Sequence, residues 1–396
     1  MSLHPIEPYH CVHGGEARID CVLCGKCLTV CPLFHSTKRE ELSPKAKFHL
    51  LRALGEDGAA LREKPAVRLA GLCLSCGKCE KACPRGLCVP DLLGRARARH
   101  PGWRAFVWKH WVARAGLLWP MAASLSRALP APLFPGALGA MMGSLAALDG
   151  KNVLTPWLRV VSLEKRGAGE KVAVFPGCTA AHAHKDWLAK AMRLLAGMGF
   201  DPVVPDFACC GCTLGHAGLQ GEQKRMRLAN VAAWRAAGRP KLVAFCATCR
   251  CGLKSYAGAD LGWRAGEQDA WAMAQTALSG LMEGARFEVL DNAPRSVVYH
   301  KPCHGSGDGG DLRMLRQAAG ERLIYKEGQS LCCGFGGLLQ LGAPELSQRV
   351  AGSALAFYAV KPGDQIVTGC SGCTVQFKAN VPEGVGAGHW LEIVSA

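Results

Sequence analysis

The chain has 396 residues, enough for two or three domains that each bury a core. Hydrophobic content of 49% with 20% charged residues excludes a disordered chain, and 22 cysteines are too many for packing alone. The formal charge of +16 is no argument for nucleic acid, because it leaves out any bound anionic group that the 47 Lys and Arg would offset.

In chain order, residues 1–20 read as an irregular lead-in with Pro5, Pro8 and Gly14-Gly15. No apolar stretch follows a basic start, so the cysteines predict metal ligation in a reducing, cytoplasmic setting rather than disulfides. Cys11, with His10 and His13, lacks a matching cysteine at ligand spacing and reads as a bystander. Cys21, Cys24, Cys27, Cys31 and Pro32 then form C-x2-C-x2-C-x3-C-P. The pattern recurs 52 residues later as Cys73, Cys76, Cys79, Cys83 and Pro84. Two copies are the ligand pattern of a two-cluster ferredoxin, in which the fourth cysteine of each run serves the other cluster. Cys21, Cys24, Cys27 and Cys83 are therefore assigned to one [4Fe-4S] cluster, and Cys73, Cys76, Cys79 and Cys31 to the second. Structural zinc and disulfides are the bland alternatives, but zinc sites do not habitually add a third and fourth cysteine followed by proline. Lys26 and Lys78 hold matching places in the loops, where a lysine either raises a cluster potential or is simply solvated.

The 41 residues from Pro32 to Leu72 predict a helix from Ser43-Pro44 through Phe48, Leu51 and Leu54 to Gly55, and a second over Pro65 to Leu72. Cys88 starts the next helix. From Leu92 to Leu148 no Asp or Glu occurs, while Arg95, Arg97, Arg99, Arg104, Lys109, Arg114 and Arg127 are interleaved with four tryptophans. Trp103, Phe106, Val107 and Trp111 fall on one helical face. This connector reads either as packed on its own protein or, through residues 95–127, as docking a partner or the membrane surface. Prolines and glycines between Ala128 and Leu148 exclude a spanning helix.

From Lys171 a second pattern occurs twice. A short apolar strand ends in Cys178, and its counterpart in Cys303. Cys209-Cys210-Gly211 matches Cys332-Cys333-Gly334, and Cys246-x-x-Cys249 matches Cys370-x-x-Cys373, with offsets of 125, 123, 124 and 124 residues. Such spacing implies tandem duplication of an α/β unit with cysteines at the carboxyl ends of parallel strands. Phe335 is expected to pack over the site. His300 and His304 flank Cys303 and are expected to tune it, while His182 and His184 carry a weaker signal.

On these residues the chain resembles the CCG-domain (cysteine-rich domain) iron–sulfur proteins. These include the iron–sulfur subunits of glycolate oxidase, of lactate-utilisation enzymes and of anaerobic glycerol-3-phosphate dehydrogenase, and the heterodisulfide reductase subunits of methanogens. The tail His389-Trp390-Leu391-Glu392-Ile393-Val394 resembles glycolate oxidase iron–sulfur subunits. The resemblance implies a noncubane [4Fe-4S] cluster on five cysteines in each unit. One set is Cys178, Cys209, Cys210, Cys246 and Cys249; the other is Cys303, Cys332, Cys333, Cys370 and Cys373. Cys11, Cys88, Cys212 and Cys251 are left over, the last two read as thiols lying beside the first set.

The expected fold class is α+β multidomain: a helical two-cluster ferredoxin domain (1–100), a basic, Trp-rich connector (101–165) and tandem α/β CCG domains (166–290 and 291–396). No nucleotide or flavin signature is present, so a partner must supply the organic cofactor. The expected function is an iron–sulfur electron-transfer subunit in a hetero-oligomer. It would relay electrons from an FAD-dependent 2-hydroxy-acid (glycolate or lactate) dehydrogenase to a quinone or other carrier, cytoplasmic or peripheral on the inner membrane, without nucleic acid. The alternatives are disulfide reduction at a noncubane cluster, as in heterodisulfide reductase, and a zinc scaffold in the CCG half.

Overall fold

The computed structural model describes residues 20–53, 68–69, 71–129, 133–134, 136–149, 153–305, 309–328 and 330–395. The expectations for Cys11, Leu54, Gly55 and half of 65–72 lie outside them. The helix after Ser43 covers Pro44–Ala53.

The two ferredoxin runs have one backbone conformation. Leu23 and Ser75 are left-handed (φ 57° and 52°), as are Gly25 and Gly77. Helices Lys26–Val30 and Lys78–Ala82 follow, each ending on an extended cysteine, Cys31 or Cys83. The helices pack against each other.

The strands are β1 (Leu158–Ser162), β2 (Lys171–Phe175), β3 (Asp201–Val203), β4 (Lys241–Ala244), β5 (Gln275–Ala277), β6 (Arg286–Val289), β7 (Val297–His300), β8 (Leu323–Ile324), β9 (Gln365–Thr368), β10 (Gly386–His389) and β11 (Val394–Ser395). Two all-parallel sheets have the orders β3-β2-β4-β5 and β8-β7-β9-β10, so the duplicated units share one topology. Their central strands are buried on both faces, as Val172 to Phe175 and Val297 to His300 show. The chain leaves the first strand of each unit to one side and returns on the other. That reversal makes a crevice at the carboxyl ends of β2/β4 and β7/β9, where parallel sheets bind ligands.

A third sheet, β11-β1-β6, joins distant segments. β1 pairs in parallel with β11 from the tail and antiparallel with β6. In the tail, Glu392 accepts from Leu154 N (2.9 Å) and Lys378 Nζ (3.0 Å), and Lys190 Nζ donates to the carbonyls of Leu391 and Glu392. The tail thus clasps both units.

Helices Trp103–Ala113, Ala115–Ala128 and Gly136–Ala146 roof the crevice. The face formed by Trp103, Phe106, Val107 and Trp111 is divided: Trp103 and Phe106 are 68% and 64% exposed, Trp111 turns toward the crevice, and Ala105, Trp108 and Val112 are buried. Both sides of this helix are apolar, so periodicity alone could not choose between them. Among the described residues no helix is long and apolar enough to cross a membrane.

Candidate metal centres

The ferredoxin thiols fall into neighbouring groups. Cys31 lies within electrostatic reach of Cys73, and Cys79 within reach of Cys73 and Cys31, while Cys27 faces Cys21. Burial pushes Cys31 and Cys79 up and Cys76 well up from the ordinary thiol range. Lys47, only 2% exposed, stands beside Cys73, Cys31 and Cys79 and donates to the carbonyl of Leu42. Burial pushes its ammonium down and those sulfurs oppose the shift, so Lys47 offsets negative charge at the second group. The residue pattern did not single it out. The available signal was a lysine four residues before Leu51, on the helix face that packs inward.

The ferredoxin half runs directly into the second cysteine-rich unit. Cys31, Cys76 and Cys332 share one apolar cluster with Cys303 packed against it. His304 joins the two parts, with Nε2 3.1 Å from the carbonyl of Ser75 and Nδ1 3.2 Å from Thr248 Oγ1. Lys78 lies within reach of Cys303 and His300, whereas Lys26 makes no such approach among the interactions described.

All ten CCG-type cysteines line one apolar cavity of about 380 Å³, closed on the other side by Trp108, Trp111, Trp119, Phe335 and Leu341. Phe335 does pack over the site; a Cβ on Gly372 would lie 3.0 Å from its ring. Gly177 is left-handed, and a Cβ there would sit 2.6 Å from Cys249 Sγ. The cysteines form an unbroken ladder of sulfur–sulfur hydrogen bonds. It runs from Cys178 through Cys209, Cys210, Cys249 and Cys246, and then through Cys370, Cys373, Cys333 and Cys332 to Cys303. The two five-cysteine sets meet at Cys246 and Cys370. There Ser371 Oγ donates to Cys246 Sγ (3.2 Å), Thr248 Oγ1 lies 3.2 Å from Cys370 Sγ, and Ala247 N bonds the carbonyl of Gly369.

The donor set fits an iron–sulfur cofactor. Sulfur hydrogen bonding and burial hold Cys178, Cys249 and Cys373 well above the ordinary range, because the apolar walls offer little to a thiolate. A soft cation removes that penalty by replacing the protons. No described cysteine is in a disulfide.

Of the remaining candidates, Cys251 shares a hydrogen bond with Cys212, which pulls it down to about 6. Cys88 stands at the N-cap position of helix Val89–Arg99. His182 lies by Trp119, 6.5 Å between ring centroids, and His184 stacks on Trp187 at 4.5 Å. Neither lines the cavity. His300 is different: it is 1% exposed, and it offers a ring nitrogen within 4.8 Å of ligand atoms of Cys333 and Cys373.

Comparison with known proteins places a 4Fe-4S dicluster domain at residues 19–87 and two copies of the cysteine-rich domain at 172–254 and 297–378. The chain is 25% identical to the probable glycolate oxidase iron-sulfur subunit of Bacillus subtilis, over 92% of this chain and 89% of that one. It is 27% identical to the glycolate oxidase iron-sulfur subunit of Escherichia coli, over 94% and 92%. Identity to a subunit of the dihydromethanophenazine:CoB–CoM heterodisulfide reductase of Methanosarcina acetivorans is 24%, over 92% and 88%.

Proposed function

From a chain that belongs to the CCG-domain iron–sulfur proteins, and serves as an iron–sulfur electron-transfer subunit, we propose a four-centre relay. It takes electrons from an FAD-dependent 2-hydroxy-acid dehydrogenase of the glycolate or lactate type and delivers them to a quinone or a comparable carrier. Bound clusters supply one-electron transfer. In this reading two cubane [4Fe-4S] clusters are held by Cys21, Cys24, Cys27 and Cys83 and by Cys73, Cys76, Cys79 and Cys31. Two noncubane clusters are held by the five-cysteine sets around Cys178 and Cys303.

One observation carries the relay: Cys31 and Cys76 of the ferredoxin half lie in the same apolar cluster as Cys332 of the second CCG set, with Cys303 packed against it. The second CCG set in turn touches the first at Cys370 and Cys246. The step from the second ferredoxin group to the second CCG set and the step between the two CCG sets therefore run through buried contacts. The protein's part is to hold the thiolates, to place Lys47 and Lys78 against accumulated negative charge, and to cover the cavity with the connector.

The connector also supports contact with a membrane surface. Leu117, Met121 and Leu125 repeat along one helix face and are 62%, 61% and 53% exposed, beside Trp103 and Phe106. Lys109 and Arg127 are already paired with Glu222 and Asp149, so the apolar term outweighs the charge term. Flotation with lipid vesicles should show binding that salt weakens only slightly; no flotation removes this part of the reading.

The relay is tested by anaerobic co-purification with the flavoprotein and stopped-flow reduction. Substrate-dependent bleaching of the clusters only when the flavoprotein is present supports it. Disulfide turnover by the chain alone instead supports the heterodisulfide-reductase-like alternative.

A further inference from the structure

The duplication places Phe175 of the first unit and His300 of the second at the same point, three residues before Cys178 and Cys303. Trp234 and Tyr358 correspond likewise, each seven residues before the strand that ends at the C-x-x-C motif. In the first unit this position is wholly apolar, with Phe175 packed on Phe207 at 5.1 Å between ring centroids. In the second, His300 Nδ1 lies 2.9 Å from Tyr358 Oη, and both side chains are buried. His300 Nε2 is buried without a hydrogen-bond partner. Its ring sits against Cys333 and Cys373 and packs edge-on to Phe377 at 4.8 Å. An unpartnered buried imidazole nitrogen is costly unless something at the site accepts its proton.

We propose that His300 separates the two CCG centres in reduction potential: Tyr358 holds the ring so that its remaining N–H is donated to a sulfur of the second set, while the equivalent place beside the first set is held by Phe175, which has nothing to donate. A hydrogen bond to a cluster sulfur favours the more negative, reduced state and raises the potential. His300 is thus a tuning residue acting through a ligand sulfur, with Tyr358 fixing the tautomer by donating to Nδ1. The consequence is directional. The centre next to the ferredoxin half holds its electron more tightly than the centre across the Cys246–Cys370 contact. The inference rests on the reading that both five-cysteine sets carry clusters.

The test is a potentiometric titration of the anaerobically purified full chain, followed by electron paramagnetic resonance, with iron counted in every sample. His300→Phe is expected to lower the potential of one CCG centre, shifting the electron-exchange equilibrium between the two about tenfold, or ~59 mV for a one-electron couple. The iron content and the other centre should stay unchanged. His300→Gln, which keeps an N–H near the same place, should recover most of the shift, and Tyr358→Phe should give a smaller shift of the same sign. If His300→Phe does not fold, the Gln and Phe variants at 300 and 358 still decide the matter. An unchanged potential in Tyr358→Phe together with a full shift in His300→Gln overturns the donor. Loss of iron from the second set in His300→Phe means direct coordination and also overturns it. A wild-type chain without a second CCG signal removes the site reading as well, which a mere absence of shift does not.

Discussion

In the first cysteine-rich unit the CCG backbone is held from behind by Asn230, which donates to the carbonyl of Cys209 (3.1 Å), and by Tyr256, which donates to that of Cys210 (3.0 Å). Among the described residues of the second unit neither device is found. Ser347 Oγ donates to the carbonyl of Gly334 (2.7 Å), and Gln376 braces Ser347 from a different helix. Cys212, buried in the first unit, has Phe335 as its counterpart, and Phe175 has His300. Strand order, the left-handed glycines Gly211 and Gly334 and the cysteine positions are the same in both. Duplication has therefore kept what fixes sulfur positions, the strand ends and the turn after Cys-Cys, and has let the surroundings diverge. Surroundings tune a centre without unmaking it.

The sharpest way to break this comparison is to remove one thiol from each set. Cys210→Ala and Cys333→Ala should each lose about four of about sixteen irons while the other set stays loaded. Cys246→Ala or Cys370→Ala, at the shared contact, should weaken both sets, seen by iron analysis and by spectra of the two centres. Equal loss from every variant would mean a single shared centre.

Next in size is the tail. Glu392→Ala removes the carboxylate that bonds the buried Lys378 ammonium and accepts from Leu154 N. We expect a cost of about 3–5 kcal/mol in denaturant unfolding; a loss below about 1 kcal/mol would contradict a clasp between units.

Phe335→Ala should cost about 2 kcal/mol by opening space under the roof. Iron should be lost faster in air than from Cys212→Ala, since only Phe335 of this pair lines the cavity.

The last effect is that of pH, which is gradual rather than abrupt. Burial pushes His184 down to about 3 and His389 to about 4. The unfolded chain then binds protons that the folded chain refuses as pH falls from about 6.5 toward 4. Stability is fully present above about 6.5 and declines below it, by at most about 1.4 kcal/mol per pH unit for each histidine. Unfolding curves at pH 7 and 5.5, with iron counted, should show the decline, and His184→Phe should reduce it.

Much of this was legible because thiolates at fixed spacing have few uses. Both ferredoxin runs, the duplicated strands and Phe335 over the site could be read from residue order. Lys47 could not, since a lysine on an amphipathic helix ordinarily faces water. Nor could the β11-β1-β6 sheet, whose strands are short and lie more than a hundred residues apart. Its pairing follows from the docking of the units rather than from local pattern. The inward side of helix Trp103–Ala113 could not be chosen for a related reason: one side covers the cavity and the other is apolar and exposed.

Iron, acid-labile sulfide and zinc counted together on the oxygen-protected full chain test the central claim most directly. Four centres predict about sixteen irons with negligible zinc, and a spectrum in which two of the centres differ from cubanes. About eight irons, with zinc or nothing bound by the ten cavity cysteines, would contradict it.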